Sequence, residues 1–394
     1  MKKKLFFSTL ISYLGIYVTM PVLSAIATKA HMIPGQIGIM ISLGAVSMLI
    51  FAPLWGKISD IYGRKIVMIV GLLGMSIFFS LYVYLFHISI ASKNSSSIFI
   101  VSLMVTRFFL GIFMTTTPTA ANAYMADISP VKERAKDMSS LGFATGLAMV
   151  LGPIIGGLVS SGGTLYMPFY ITIAFLLLAS FVLILILPKT EYQNSNSNTD
   201  NVQSKKRKLT SIRLLSWLLV GCSVMFVIVA LQLLTSLYLH DIIGQTIVQS
   251  AKSSSLLFVI LGITLMFTQI LQIKILNFSA KKMMLVGIPL LIIGLLFISM
   301  SSYFWMLIVS YIFIGAGAAF GMSSLSAGAS LVVNEDQQGA VAGTVAMTQA
   351  IAGIISPLLG SFIYQLDNRL AFVFFAVFAV ITYIVFCAIN SNSK

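Results

Sequence analysis

The chain has 394 residues, of which 58% are hydrophobic and only 9% charged, and its mean hydropathy is +1.02. A soluble protein of this size carries far more charged surface, and the apolar runs are too many and too long for one soluble core. The formal net charge of +14 would suit a polyanion partner, but the bases are placed as membrane topology places them, so no nucleic-acid partner is expected.

A bilayer core of ~30 Å needs ~20 apolar residues per helix, and a helix satisfies its own backbone in lipid. Twelve runs qualify, near 5–27, 36–56, 66–88, 98–122, 138–160, 168–187, 214–239, 248–273, 283–300, 303–327, 341–364 and 369–389. With both termini cytoplasmic, most of the 24 lysines and arginines fall in cytoplasmic segments. Lys29, Lys93, Lys252 and Arg369 fall on the other side, and Arg107 lies inside a span. This is positive-inside bias, and it predicts a multi-pass membrane protein.

The first span follows Lys2-Lys3-Lys4 and ends near Ala25-Ile26-Ala27, which mimics a secretory leader. Its apolar stretch is longer than a leader core, so it reads as a retained helix. Tyr13, Tyr17 and Met20 share one face of it, followed by Pro21.

Between spans two and three stands a polar island, Gly56-Lys57-Ile58-Ser59-Asp60-Ile61-Tyr62-Gly63-Arg64-Lys65. An acid four residues before a base, bracketed by glycines, predicts a very short loop that turns sharply and holds an ion pair. The bland reading is a marker of the cytoplasmic side. The island resembles the G-x-L-a-D-r-x-G-r-k loop between helices 2 and 3 of the major facilitator superfamily. Gly56, Asp60, Gly63, Arg64 and Lys65 match, with Ile58 in place of the Leu and Ser59 in place of the small residue. The resemblance implies a latch: Asp60 facing a helix N-terminus of the opposite half, and Arg64 bridging Asp60 to a second acid. Asp127, at the inner end of span four, is the candidate for that acid.

Span four carries Arg107 and Gly111, with Met114 and Thr117 further along. A base near mid-bilayer costs roughly 2.5–3.5 kcal/mol on insertion scales, so Arg107 should face the interior or a water-filled cavity. The pair resembles the R-x-x-x-G signature of the drug:proton antiporter branch, which implies a role for Arg107 in proton coupling. The alternative is an anchor to backbone carbonyls or to Tyr311. Span five carries Gly146, Gly152, Pro153, Gly156 and Gly157, which permit close backbone approach and a kink. It resembles the antiporter motif G-x-x-x-G-P-x-x-G-G, with the first spacing lengthened by Leu147 to Leu151.

The composition then changes. Residues 189–213 are Asn/Ser-rich and contain Lys205-Lys206-Arg207-Lys208, which reads as a cytoplasmic linker. It separates a six-helix bundle at 1–188 from one at 214–394. The halves repeat. Aligning Arg64-Lys65 on Lys281-Lys282 puts Asp60 on Asn277, and aligning Gly152-Pro153 on Ser356-Pro357 puts Gly111 on Gly315 and Arg107 on Tyr311. The expected fold class is an all-α membrane protein, with twelve transmembrane helices in two pseudo-symmetric bundles, the arrangement of transporters built from parallel repeats.

In the second half, Gln232 and Ser236 share a face of span seven, and Gln349 is polar within span eleven. Together with Tyr13, Tyr17, Met20, Met114, Arg107 and Tyr311 they form the candidate substrate pocket, aromatic and Met-rich as apolar or amphipathic compounds require. Ordinary packing is the alternative for each of them. None of the ten acids falls mid-span, so neutral, zwitterionic or anionic substrates are expected rather than lipophilic dications. Cys222 and Cys387 lie in apolar spans and the histidines are scattered, so neither a metal nor a disulfide framework is expected. There is no phosphate-binding loop, no cofactor is implied, and no enzymatic activity is expected.

The resemblance covers roughly 5–389. It implies proton-coupled efflux of small amphipathic molecules, as in multidrug or tetracycline pumps, by a rocker-switch monomer in a bacterial inner membrane. The partners would be a small-molecule substrate, the proton and the lipid bilayer. Two alternatives stand beside it: a dedicated exporter of an anionic or zwitterionic metabolite such as a carboxylate siderophore, and a non-transporting membrane receptor or scaffold.

Overall fold

The structure is a computed structural model that describes residues 2–92, 97–130, 134–160, 164–186, 211–333 and 338–390. Regular structure among the described residues is helical throughout. The first half holds α1 (Lys2–Lys29), α2 (Pro34–Tyr62), α3 (Arg64–Ala91), α4 (Ser97–Met114), α5 (Thr116–Ile128), α6 (Arg134–Ser160) and α7 (Met167–Ile186). The second holds α8 (Ile212–Asp241), α9 (Ile247–Leu271), α10 (Ala280–Met300), α11 (Phe304–Leu331), α12 (Gln338–Leu366) and α13 (Leu370–Asn390). A π-helical turn, Gln272–Leu276, closes α9. With α4 and α5 taken as one span, twelve helical spans among the described residues are long and apolar enough to cross a membrane. Most of the proposed linker lies outside the described residues.

The apolar run predicts a continuous fourth span over 98–122. It is instead broken at Thr115 and runs on to Ile128. Pro118 is the cause. It offers no N–H to the Met114 carbonyl, and its ring clashes with that turn. The Trp55 indole donates to the Ile112 carbonyl at 2.8 Å, and the Thr116 hydroxyl donates to the Phe113 carbonyl at 2.7 Å. Carbonyls at the break are therefore satisfied from α2 and from the local side chain.

The repeat is visible in backbone packing. A Cβ on Gly111 would collide with the Gly44 carbonyl of α2. A Cβ on its counterpart Gly315 would stand 2.9 Å from the Leu261 carbonyl of α9, at the position matching Gly44. Each half thus crosses its second and fourth spans at a glycine against a backbone oxygen.

The halves meet away from the end that carries Lys2 and the 56–65 island. A Cβ on Gly38 of α2 would run into Ser361 of α12 and lie 2.5 Å from the Pro357 carbonyl. A Cβ on Gly157 of α6 would lie 2.5 Å from Ser255 Cβ of α9. Under the repeat, Ser255 matches Gly38 and Ser361 matches Gly157, so the two contacts are the same Gly–Ser crossing with the roles exchanged. Hydrogen bonds from Ser42 to the Ile354 carbonyl (2.7 Å) and from Ser254 to the Pro21 carbonyl (3.0 Å) reinforce this seal. Toward the basic end the halves part. Gly142 and Gly146 of α6 and Gly343 of α12 have no atom within 4 Å of a built Cβ, and Phe143 and Met347 are each 59% exposed.

Candidate functional site

The island is not a loop. Helix α2 continues to Tyr62, and only Gly63 interrupts it, at φ 92° and ψ 145°, before α3 restarts at Arg64. That backbone conformation is open to glycine and costly for other residues. A one-residue break leaves the last turn of α2 beside the first turn of α3, and the charges converge on Arg64. Its guanidinium pairs with Asp60, donates from Nε to Asp127 Oδ2 at 3.0 Å, and donates from Nη1 to Ser59 Oγ at 3.1 Å. The Arg64 side chain is 16% exposed, against 62% for Asp60 and 53% for Asp127. Lys65 donates to the Ile184 carbonyl at 2.8 Å, close to the C-terminus of α7, where the helix dipole favours a cation. Gly56 is loosely packed, with Thr119 Cγ2 at 3.8 Å from a built Cβ. Among the described residues, no ion pair joins Asp60 to the second half.

The second-half copy is built differently. Its turn falls on Asn277 in the left-handed region (φ 45°, ψ 38°), after the π-helical turn. The residue aligned with Asp60 is therefore a turn former, where Asp60 is helical. Ser279 caps α10 by accepting from the Lys282 backbone N–H, and the Lys282 ammonium sits 4.0 Å from the Phe278 ring centroid. Lys281 donates to the Asn390 carbonyl at 2.6 Å, at the C-terminus of α13. Both halves thus tie a base of this segment to the end of their last helix, while the acid–base–acid bridge belongs to the first.

Arg107 is 5% exposed and lies against α2, with its Nε 3.1 Å from a Cβ built on Gly44. Tyr82 of α3, whose hydroxyl donates to Met40 Sδ at 2.7 Å, is its electrostatic neighbour. The Arg107 Nε is buried without a hydrogen-bond partner. Tyr311, the repeat counterpart, is not beside Arg107. It is bonded to the Thr235 hydroxyl and meets Phe258 edge-on, inside the second half.

The α6 glycines divide by depth. Gly152 and Gly156 press on α1, where a Cβ would meet Tyr17 and the Val18 carbonyl, while Gly157 presses on α9 across the halves. Pro153 lies inside the helix between them. Gly146 belongs to the same motif, but it borders the open end, where a built Cβ would meet no atom within 4 Å, so close packing is not its role in this conformation. Tyr13 and Tyr17 stack at 6.3 Å. Met20 and Gln232 are half-buried, Met114 and Ser236 are buried, and Gln349 is exposed. The candidate pocket residues therefore stand in separate groups in this conformation: the tyrosines on the α1–α6 seam, Arg107 on the α2–α4 seam, Tyr311 on the α8–α11 seam. Thr117 and Ser236 each present a buried hydroxyl without a hydrogen-bond partner.

Other polar clusters escape a reading by sequence because their partners are far apart in the chain. Lys2 pairs with Asp137 at 2.6 Å, joining α1 to the start of α6. At the sealed end, Asp241 accepts from the Tyr364 hydroxyl at 2.9 Å and from the Asn368 amide at 3.2 Å. No group of three metal-ligating side chains occurs among the described residues.

A family model for the Major Facilitator Superfamily matches residues 5–277 and again 275–392. The chain is 26% identical over 376 residues to the class H tetracycline resistance protein of Pasteurella multocida, covering 91% of this chain and 87% of that one. It is 28% identical over 377 residues to multidrug resistance protein 2 of Bacillus subtilis, covering 92% and 88%. Among solved structures it resembles the nucleoside transporter NupG, with a TM-score of 0.74 at 16% identity, covering 100% of this chain and 99% of that one. A bacterial homologue of the iron transporter ferroportin in its inward-facing state gives a TM-score of 0.74 at 15% identity, over 100% and 98%. Twelve spans in two repeated bundles, the 56–65 island and a match over nearly every residue lead to one conclusion: the chain is a transporter of the major facilitator superfamily.

Proposed function

We propose that the chain is a proton-coupled efflux transporter of small amphipathic molecules, working by rocker-switch alternating access as a monomer. The observation that carries this reading is the asymmetry between the halves: sealed at the two Gly–Ser crossings, open at the basic end. Positive-inside bias assigns the basic end, with both termini, to the cytoplasm. The open cleft then receives substrate from the cell interior, in a bacterial inner membrane.

Exchange to the opposite state requires the Gly38–Ser361 and Gly157–Ser255 crossings to part. At the same time the basic ends close, and Gly142, Gly146 and Gly343 leave room there for a neighbouring helix. In that closure Asp60 meets a helix N-terminus of the second half, an interaction of roughly 0.3–1 kcal/mol, with Arg64 and Asp127 holding it in place. Protonation of Asp60 or Asp127 removes this bias, and a substrate that binds the two states unequally is coupled to it. Arg107 is the buried base through which substrate charge or an associated water is sensed.

The relatives named as tetracycline and multidrug resistance proteins support drug efflux as the leading reading. A dedicated exporter of an anionic or zwitterionic metabolite, such as a carboxylate siderophore, is the second. It is favoured by a central base with no acid at mid-span. Expression in a pump-deleted bacterial host tests the first, and export of a carboxylate siderophore by the same cells tests the second. Lower accumulation of tetracycline with little change in ethidium is the expected outcome. If ethidium were the better substrate, the charge argument would fail. A receptor or scaffold would change neither.

A further inference from the structure

A groove of about 450 Å³ runs between α1 and α7 at the basic end of the first half. Its α1 wall is the helical stripe Lys3, Phe7 and Ile11, each four residues from the last, flanked by Lys4 and the buried Ser8. Its α7 wall includes Ala179 and Leu183, again one turn apart. The polarity is graded along the groove. Ile11 and Ala179 lie toward the membrane interior, while Lys3 and Lys4, both exposed, stand at the basic rim. From Lys3 to Ile11 the stripe covers about 12 Å of helix rise, so the lysines fall at headgroup depth when Ile11 lies among acyl chains. Apolar walls with two cations at one end match an amphiphile with an anionic head, and in a membrane-spanning chain the bilayer is its source.

We infer that this groove binds an anionic phospholipid, with one acyl chain along Phe7, Ile11, Ala179 and Leu183 and the headgroup phosphate on Lys3 and Lys4. This site is separate from the candidate transport pocket. It needs only that the chain spans a membrane and does not depend on the efflux reading. It also adjoins the island: Leu183 precedes Ile184, whose carbonyl accepts from Lys65. An occupied groove would therefore brace the α7 end to which the 56–65 segment is tied.

The test uses the full chain reconstituted in nanodiscs of mixed phosphatidylcholine and phosphatidylglycerol, then released into detergent for native mass spectrometry. The wild type is expected to retain phosphatidylglycerol in preference to phosphatidylcholine. Lys3→Gln and Lys4→Gln should each lower that preference about fivefold. Val182→Trp, at a half-buried position lining the groove, should displace the retained lipid while the lysines stay in place. Glycerol phosphate, which has the anion without the tail, should not compete. Equal retention of the two lipids by wild type would overturn the inference. So would wild-type preference in the double lysine variant, or displacement by glycerol phosphate. If Val182→Trp fails to elute as a monodisperse protein, the wild-type lipid preference and the lysine variants decide.

Discussion

Arg107 and Gly111 make opposite demands at one helix crossing. The glycine brings the backbones of α2 and α4 together, and the arginine lies buried over Gly44 with its Nε unpaired. A base at that depth costs roughly 2.5–3.5 kcal/mol, and an intramembrane base points to function over packing. Arg107→Ala should therefore fold and express at least as well as wild type while efflux is lost, which an expression blot paired with drug accumulation would reveal. Gly111→Ala should behave differently. Its Cβ would strike the Gly44 carbonyl, which has no side-chain freedom to yield, and a loss of about 1–3 kcal/mol is expected. Thermal unfolding in detergent reads this, with Gly56→Ala as the control, since its nearest neighbour stands 3.8 Å away. Arg107 and Gly111 were legible in the sequence because a base and a glycine stand out in an apolar run. What they touch was not, since Gly44 and Tyr82 look ordinary until the helices are packed.

At the scale of helices, the decisive features are where spans break and where they cross. The break after Met114 had a visible signal in Pro118, preceded by three threonines, but hydropathy runs smoothly through it and the span reads as continuous. The island read as a loop because four charges and two glycines look like a loop. In fact only Gly63 leaves the helical region, and the other residues extend α2 and start α3. The inter-half seal was legible only in part. Gly157 belongs to a recognisable motif, whereas Gly38, Ser255 and Ser361 gain meaning only as a repeat-related pair of crossings. Gly38→Val should wedge α2 from α12 and favour the state open at the opposite end. Spin-label distances across the sealed end would lengthen, and those across the basic end would shorten. Asp60→Asn should act in the other direction. With the closed-basic-end contact weakened, the distances at that end should stay long and efflux should fall with expression unchanged.

In the whole molecule, two similar halves carry unequal equipment. The helix crossings repeat faithfully, as Gly111 on Gly44 and Gly315 on Leu261 illustrate. The charges do not: the Asp60–Arg64–Asp127 bridge has no second-half copy among the described residues, and Arg107 is answered by Tyr311. Twelve spans and the repeat were legible because apolar length and glycine spacing are local properties. The grouping of pocket residues was not, since it depends on which state the halves adopt, and in the state open at the basic end the tyrosines, Arg107 and Tyr311 lie on three separate seams. The central claim is that a proton gradient drives substrate through this molecule. Purified protein in proteoliposomes with an acidic lumen and tetracycline outside tests it directly. The account predicts accumulation against the tetracycline gradient, abolished by collapsing the pH difference with nigericin and absent in Arg107→Ala. Tetracycline entry that is the same with and without the pH difference, or no entry by a protein whose spin labels still exchange between the two states, would contradict it.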